Sequence, residues 1–201
     1  MICRVLFALV AALSPVLASG IAAAAPGVAP AGTACATLTA LTIPTVTVRA
    51  ATAVAAGAFT PPGASIAITL PAFCRVEAVA RPTSDSEIRF EVWIPPAEAW
   101  NSKFQGVGNG GYQGSISYGA MAAALRRGYA TASTDTGHAG DDMKFAQGHP
   151  EKLIDYGHRA IHVMTESAKL IVRNAAWRFA ERSYFVGCSA GGQQALSEAQ
   201  R

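Results

Sequence analysis

One segment, Phe185-Val186-Gly187-Cys188-Ser189-Ala190-Gly191-Gly192, constrains this chain more than any other. An apolar β-type run ends in Gly-x-Ser-x-Gly and passes directly into helix-compatible sequence. Such a stretch asks for a strand ending at a sheet edge, a turn too tight for side chains at its glycines, and a helix whose first amides lie beside the serine. It is the signature of a strand-to-helix elbow, and it demands an α/β architecture around it. Ser189 is thereby a candidate nucleophile, which needs an imidazole within hydrogen-bond reach to take its proton. In folds built on this elbow the acid and the histidine follow the serine. Residues 190–201 contain neither Asp nor His, so the chain is expected to be an N-terminal fragment that is inactive by itself.

The remainder supplies strands and helices for such an elbow. Cys74 to Ala80 alternates, with Val76, Ala78 and Ala80 on one side and Arg75, Glu77 and Val79 on the other. After a turn at Pro82 to Ser86, Ile88, Phe90, Val92 and Ile94 share a face against Arg89, Glu91 and Trp93. This period of two predicts an antiparallel hairpin, which Pro95-Pro96 ends. Phe104 to Gly108 and Tyr129 to Ser133 read as further strands. Between them Tyr118 to Arg127 carries Met121, Ala122 and Leu125 at helical spacing, with Gly128 at its end. Residues 158 to 180 give the clearest helical stripe, Ile161, Met164, Ala168, Ile171, Val172, Ala175 and Phe179, expected to pack on the sheet. Thr45 to Val48 and Ile66 to Leu70 are short β-prone runs, the first expected to pair within an N-terminal arm. The polar stretch holding Asp135, His138, Asp141, Asp142, His149 and Asp155 is too long for a minimal connection and reads as a surface or cleft loop. The order of elements is that of a doubly wound α/β domain around a mixed sheet.

A second motif bears on the chemistry. Acyl transfer at an elbow serine needs amides aimed at the developing oxyanion, one from the residue after the nucleophile and one from a glycine-rich loop after an early strand. Ala190 is the first candidate. Gly108-Asn109-Gly110-Gly111 supplies the second through Gly110 or Gly111; the bland alternative is a turn with no role, and no Lys-Ser/Thr follows as in a phosphate-binding loop. All four histidines precede Ser189. His158 and His162 stand at a spacing that can bind a metal, but lack a third ligand in sequence, and no metal site is assigned. Asp135 with His138 or His158 remains open as a triad in the order Asp, His, Ser. Cys188 is a poorer nucleophile, because the motif centres on Ser189.

The N-terminus reads as an export signal over residues 1–24: Arg4, an apolar run from Val5 to about Leu17 broken by Pro15, and Ala22-Ala23-Ala24 as a cleavage site. The apolar run is shorter than the ~20 residues of a spanning helix. The mature chain is expected to be secreted or periplasmic and to consist of an arm, 25–73, with an Ala/Pro/Gly leader at its start, and a catalytic portion, 74–201. Cys3 leaves with the signal, so Cys35, Cys74 and Cys188 form an odd set in a compartment that permits disulfides. Cys35 and Cys74 make the natural pair. A formal charge of +3 without a Lys/Arg run gives no support for nucleic-acid or membrane-surface binding, which leaves a small soluble substrate.

Beyond the elbow, several ordered stretches carry a resemblance. They are Cys74-Arg75-Val76, Trp100-Asn101-Ser102-Lys103-Phe104, Gly106-Val107-Gly108-Asn109-Gly110-Gly111, Arg127-Gly128-Tyr129-Ala130 through Thr134-Asp135-Thr136-Gly137-His138, Pro150-Glu151-Lys152-Leu153-Ile154-Asp155 and Ser183 to Gly192. In these the chain resembles the tannase and feruloyl esterase family of α/β-hydrolases, a group that includes mono(2-hydroxyethyl) terephthalate hydrolases. The resemblance implies the N-terminal part of an α/β-hydrolase fold, its mixed sheet and flanking helices reaching the elbow, with the lid and C-terminal half absent. It implies a secreted serine esterase releasing hydroxycinnamic, galloyl or related aromatic acids, and a lid that often carries a structural calcium. It also implies that Cys188 is disulfide-bonded to a cysteine just after the catalytic histidine. Gln193 departs from the arginine usual after the Gly-Gly pair. A non-catalytic ligand- or carbohydrate-binding remnant is the alternative reading.

Overall fold

The computed structural model describes residues 35–201; the expected export signal over 1–24, with Cys3, and the expected leader after it lie outside them. Its strands are β1 (Val46–Val54), β2 (Gly57–Phe59), β3 (Ile68–Leu70), β4 (Phe73–Ala80), β5 (Ile88–Ile94), β6 (Lys103–Val107), β7 (Ala130–Thr134) and β8 (Arg182–Val186). Its α-helices are α1 (Tyr118–Arg126), α2 (Pro150–Ile154), α3 (Ala160–Ala176) and α4 (Ala190–Ala199). Six strands form one mixed sheet in the order β1-β4-β5-β7-β6-β8, and β2 and β3 form a separate ribbon.

Alternation in the sequence becomes two cores. The β4–β5 hairpin forms as expected, pairing Val76 with Val92, Ala78 with Phe90 and Ala80 with Ile88. These side chains lie in one core with Ile161, Met164, Ala168, Ile171 and Val172, so α3 covers that face. The opposite face carries Trp93 and Val107 against Phe73, Met121, Ala122 and Leu125, so α1 and the β2–β3 ribbon cover it. Rings of Phe59 and Phe73 lie 5.4 and 4.7 Å from Trp93. The polar residues of this face are tied together. Glu91, 3 % exposed, accepts from Arg75 Nε, from Trp93 Nε1 and from the Tyr118 hydroxyl at 2.8, 2.9 and 2.8 Å. Burial of a carboxylate is tolerable here because each oxygen has a partner; the same bonds hold the Arg75 guanidinium above its usual pKa.

Three boundaries differ from the periodicity. β1 runs on to Val54 and pairs antiparallel with β4 rather than within the arm, with a register shift between Val48 and Ala50. The long helix ends at Ala176, where Trp177 adopts φ +57°. Phe179 therefore leaves the apolar stripe, is exposed, and lies under the Arg173 guanidinium at 4.9 Å. At its other end α3 continues back through a single π turn, Asp155–Arg159, into α2, so part of the expected loop is helical.

Cys35 and Cys74 are disulfide-bonded with Cα atoms 5.6 Å apart. The bond pins a 3₁₀ turn, Thr37–Ala40, to the start of β4. No helix among the described residues is long and apolar enough to cross a membrane.

β6 pairs parallel with both β7 and β8. The chain leaves β6 for one neighbour and later returns to its other side, which makes the carboxyl end of β6 a topological switch point, where open α/β sheets bind ligands. Three segments meet at that end: the glycine loop after β6, Asp135 to His138 after β7, and the elbow after β8.

Candidate active site

Ser189 follows β8 and precedes α4, with φ +56° and ψ −122°. A non-glycine residue in this region carries strain of about 1–3 kcal/mol and persists only where its surroundings impose it. The surroundings are two glycines. A Cβ on Gly187 would lie 2.3 Å from the Gly191 carbonyl, and one on Gly191 would lie 2.9 Å from the Asn109 oxygen; Gly192 is easier, its nearest contact being 3.7 Å. The first turn of α4 is closed by Gly191 N–H to Cys188 O and Gly192 N–H to Ser189 O, both 2.9 Å. The Ser189 side chain is exposed, and it makes no hydrogen bond among the described residues.

The glycine loop lies directly against this turn. Gly108 N–H donates to Val186 O at 2.9 Å, and Asn109 N–H donates to Gln194 Oε1 on α4 at 3.0 Å. A Cβ on Gly108 would meet Gly191 Cα at 2.8 Å and Gln194 Oε1 at 2.7 Å. Backbone touches backbone. The structure thus brings together the loop holding Gly110 and Gly111 and the turn holding Ser189 and Ala190. Among the described residues the amides of Ala190, Gly110 and Gly111 donate to nothing.

Sequence reasoning missed two residues here. Asn109, 3 % exposed, sends its Nδ2 to Ser115 O and Thr134 O at 2.5 and 2.9 Å, binding the loop to the end of β7. Gln194, 8 % exposed, ties the loop to α4. The signal available was a polar residue on the inner face of a helix directly behind the elbow.

Of the upstream histidines, His138 and His162 are engaged elsewhere. His138 is buried; its Nε2 lies 2.7 Å from Tyr112 O and its Nδ1 3.2 Å from Thr136 Oγ1. A carbonyl only accepts, so Nε2 carries a proton and that nitrogen cannot take one from a serine. Asp135 Oδ1 accepts from the amides of Arg89 and Gly137, each at 2.9 Å, and from no histidine. Burial pushes its carboxyl up to about 6, against the pull of those two amides. His158 is exposed, whereas His162 Nδ1 stands 3.2 Å from both Glu198 oxygens. The triad of Asp135 with His138 or His158 is therefore not assembled. Among the described residues no cluster of three His, Cys, Asp or Glu is positioned to hold a metal. Cys188 is exposed and unpaired within these residues.

Comparison with known proteins agrees with this geometry. The sequence model of the family described as tannase and feruloyl esterase matches residues 74–201. An uncharacterized esterase of Xanthomonas campestris pv. campestris is 50% identical over 153 residues, covering 75% of this chain and 26% of its own. A probable feruloyl esterase B-1 of Aspergillus fumigatus is 33% identical over 138 residues, covering 69% of this chain and 26% of its own. The crystal structure of feruloyl esterase B from Aspergillus oryzae superposes with a TM-score of 0.76 at 29% identity, over 82% of this chain and 34% of that one. The chain thus spans about a quarter of the length of the curated relatives it matches.

Proposed function

Because the chain belongs to the tannase and feruloyl esterase family, we propose that Ser189 is the nucleophile of an exported carboxylic ester hydrolase that cleaves esters of hydroxycinnamic, gallic or similar aromatic acids. The supporting observation is the strained Ser189 backbone at the head of α4, with the glycine loop in backbone contact behind it. The Ser189 hydroxyl attacks the ester carbonyl while a histidine takes its proton. The amides of Ala190 and of Gly110 or Gly111 receive the negative charge of the tetrahedral intermediate. Collapse expels the alcohol, which takes the proton from the imidazolium, and leaves an acyl-Ser189; water, activated by the same histidine, releases the acid.

The histidine and the aspartate that orients it lie, in this proposal, outside the described residues: His138, His149 and His162 are committed to Tyr112, Asp85 and Glu198, and His158 is exposed with no carboxylate beside it among those residues. The chain alone is then expected to show no turnover, since losing triad members costs about six orders of magnitude in the best-studied serine enzyme. Cys188 bonds to a cysteine beside that histidine, fastening base to nucleophile. The division proposed is an export signal over 1–24, an arm over 25–73 that contributes β1 to the sheet, and a catalytic portion over 74–201. Export agrees with the Cys35–Cys74 disulfide, which needs an oxidising compartment.

Methyl ferulate and methyl gallate hydrolysis by the full product of the gene, with and without Ser189→Ala, tests the proposal. Loss of hydrolysis in the variant supports it. Hydrolysis that survives Ser189→Ala sinks it, and aromatic-ester binding with no acylation in the unsubstituted protein favours a non-catalytic binding role.

A further inference from the structure

Beyond Asn109, the segment from Gly110 to Tyr112 is held by its carbonyls. Gly110 O accepts from Gln113 N–H at 3.1 Å, Gly111 O from the Tyr156 hydroxyl at 2.7 Å, Tyr112 O from His138 Nε2 at 2.7 Å, and Gln113 O from Asn109 Nδ2 at 3.4 Å. Among the described residues the amides of Gly110, Gly111 and Tyr112 have no acceptor. The C=O and N–H of one trans peptide point in opposite directions. A donor that fixes a carbonyl therefore also aims the amide on the other side of its plane. Both planes flanking Gly111 are fixed in this way, one by Gln113 and one by Tyr156.

Two of these side-chain donors, His138 and Tyr156, come from outside the loop and support each other. His138 is 6 % exposed; its ring stacks on Phe145 at 3.8 Å and meets the edge of Tyr156 at 5.7 Å. The Tyr112 ring lies 5.7 Å from Tyr156. Gly114 fits under this group only without a side chain, since a Cβ there would stand 2.5 Å from the His138 oxygen and 2.7 Å from its Cδ2. The turn after β7 and the π turn before α3 thus converge on one loop.

We propose that His138 and Tyr156 are positioning residues for the oxyanion loop: by holding Tyr112 O, His138 turns the Gln113 N–H onto Gly110 O, which aims the Gly111 amide at the developing charge, and Tyr156 fixes the other plane flanking Gly111 through its carbonyl. The proposal rests on the esterase reading of Ser189. It gives His138 a role as a fixed donor, distinct from the catalytic base that its sequence position suggested. It also favours Gly111 over Gly110 as the second oxyanion donor.

The test uses the full gene product and four variants, Tyr156→Phe, His138→Ala, His138→Gln and Ser189→Ala. Hydrogen–deuterium exchange of the peptide spanning residues 108–115 reads loop order, and methyl ferulate kinetics read function. Tyr156→Phe removes one hydroxyl and guards against misfolding in His138→Ala. We expect both to speed exchange in that peptide and to lower kcat about tenfold or more with KM within about twofold, because oxyanion contacts strengthen in the transition state. His138→Gln, which keeps an N–H donor, should recover most of kcat. Unchanged exchange in both Tyr156→Phe and His138→Ala overturns the clamp. Faster exchange with unchanged kcat shows a loop brace without catalytic effect and also overturns the proposal. Hydrolysis persisting in Ser189→Ala instead overturns the esterase reading, and with it the catalytic role given to the clamp.

Discussion

The backbone amide of Asn109 donates to the side-chain oxygen of Gln194 at 3.0 Å, joining residues 85 positions apart. Through this bond the loop after β6 and the helix behind Ser189 become one piece. Replacing Gln194 with Leu keeps volume but leaves a buried amide without an acceptor, a loss of about 1–3 kcal/mol. Urea unfolding should show that loss, and the variant's exchange at residues 108–115 should rise.

The elbow glycines are not equivalent. Gly187→Ala places a methyl 2.3 Å from the Gly191 carbonyl and should destabilise by more than about 2 kcal/mol, through overpacking against backbone. Gly192→Ala meets nothing closer than 3.7 Å and should be neutral or stabilising by up to about 1 kcal/mol, the gain from helix propensity. Equal effects from the two in thermal unfolding would contradict the packing described here.

Asp135 gives a pH dependence of definite sign. Its folded carboxyl is raised by burial to about 6, above the value of about 3.9 expected when unfolded. Between those values the folded state binds a proton that the unfolded state has released, so stability falls as pH rises from about 4 to 6, by at most about 3 kcal/mol. Asp135→Asn keeps an oxygen for the amides of Arg89 and Gly137. Relative to the unsubstituted protein it should gain stability across that window, measured by urea titration at pH 4 and pH 7.

Reducing the Cys35–Cys74 bond opens a loop with a sequence separation of 39. Chain entropy puts the loss at about 4 kcal/mol. The double variant Cys35→Ala, Cys74→Ala should unfold at lower urea in oxidising buffer, and adding dithiothreitol should lower only the unsubstituted protein to the same midpoint.

What the sequence revealed follows from how local each signal is. The hairpin of Cys74 to Ala80 with Ile88 to Ile94 is a strict period-two pattern, and Gly187 and Gly191 declare a turn wherever they sit beside a strand. Residues 50–54 of β1 are half-buried or exposed at the sheet edge and show no clean alternation, so the strand looked shorter than it is. The helix end at Trp177 was hidden because a tryptophan holds the left-handed position that glycine or asparagine usually fills. His138 attracted a catalytic reading beside Asp135, yet its bond to Tyr112 spans 26 residues and no spacing rule foretells it. Asn109 with Gln194 was invisible for the same reason: the bond exists only once β6 and β8 are neighbours.

The central claim, that Ser189 is an activated nucleophile, is tested most directly by intact-mass spectrometry of the full gene product after exposure to an alkyl fluorophosphonate. An activated Ser189 gives a single adduct that peptide mapping places on Ser189 and that Ser189→Ala abolishes. An adduct retained in Ser189→Ala, or no adduct in the unsubstituted protein, would contradict it.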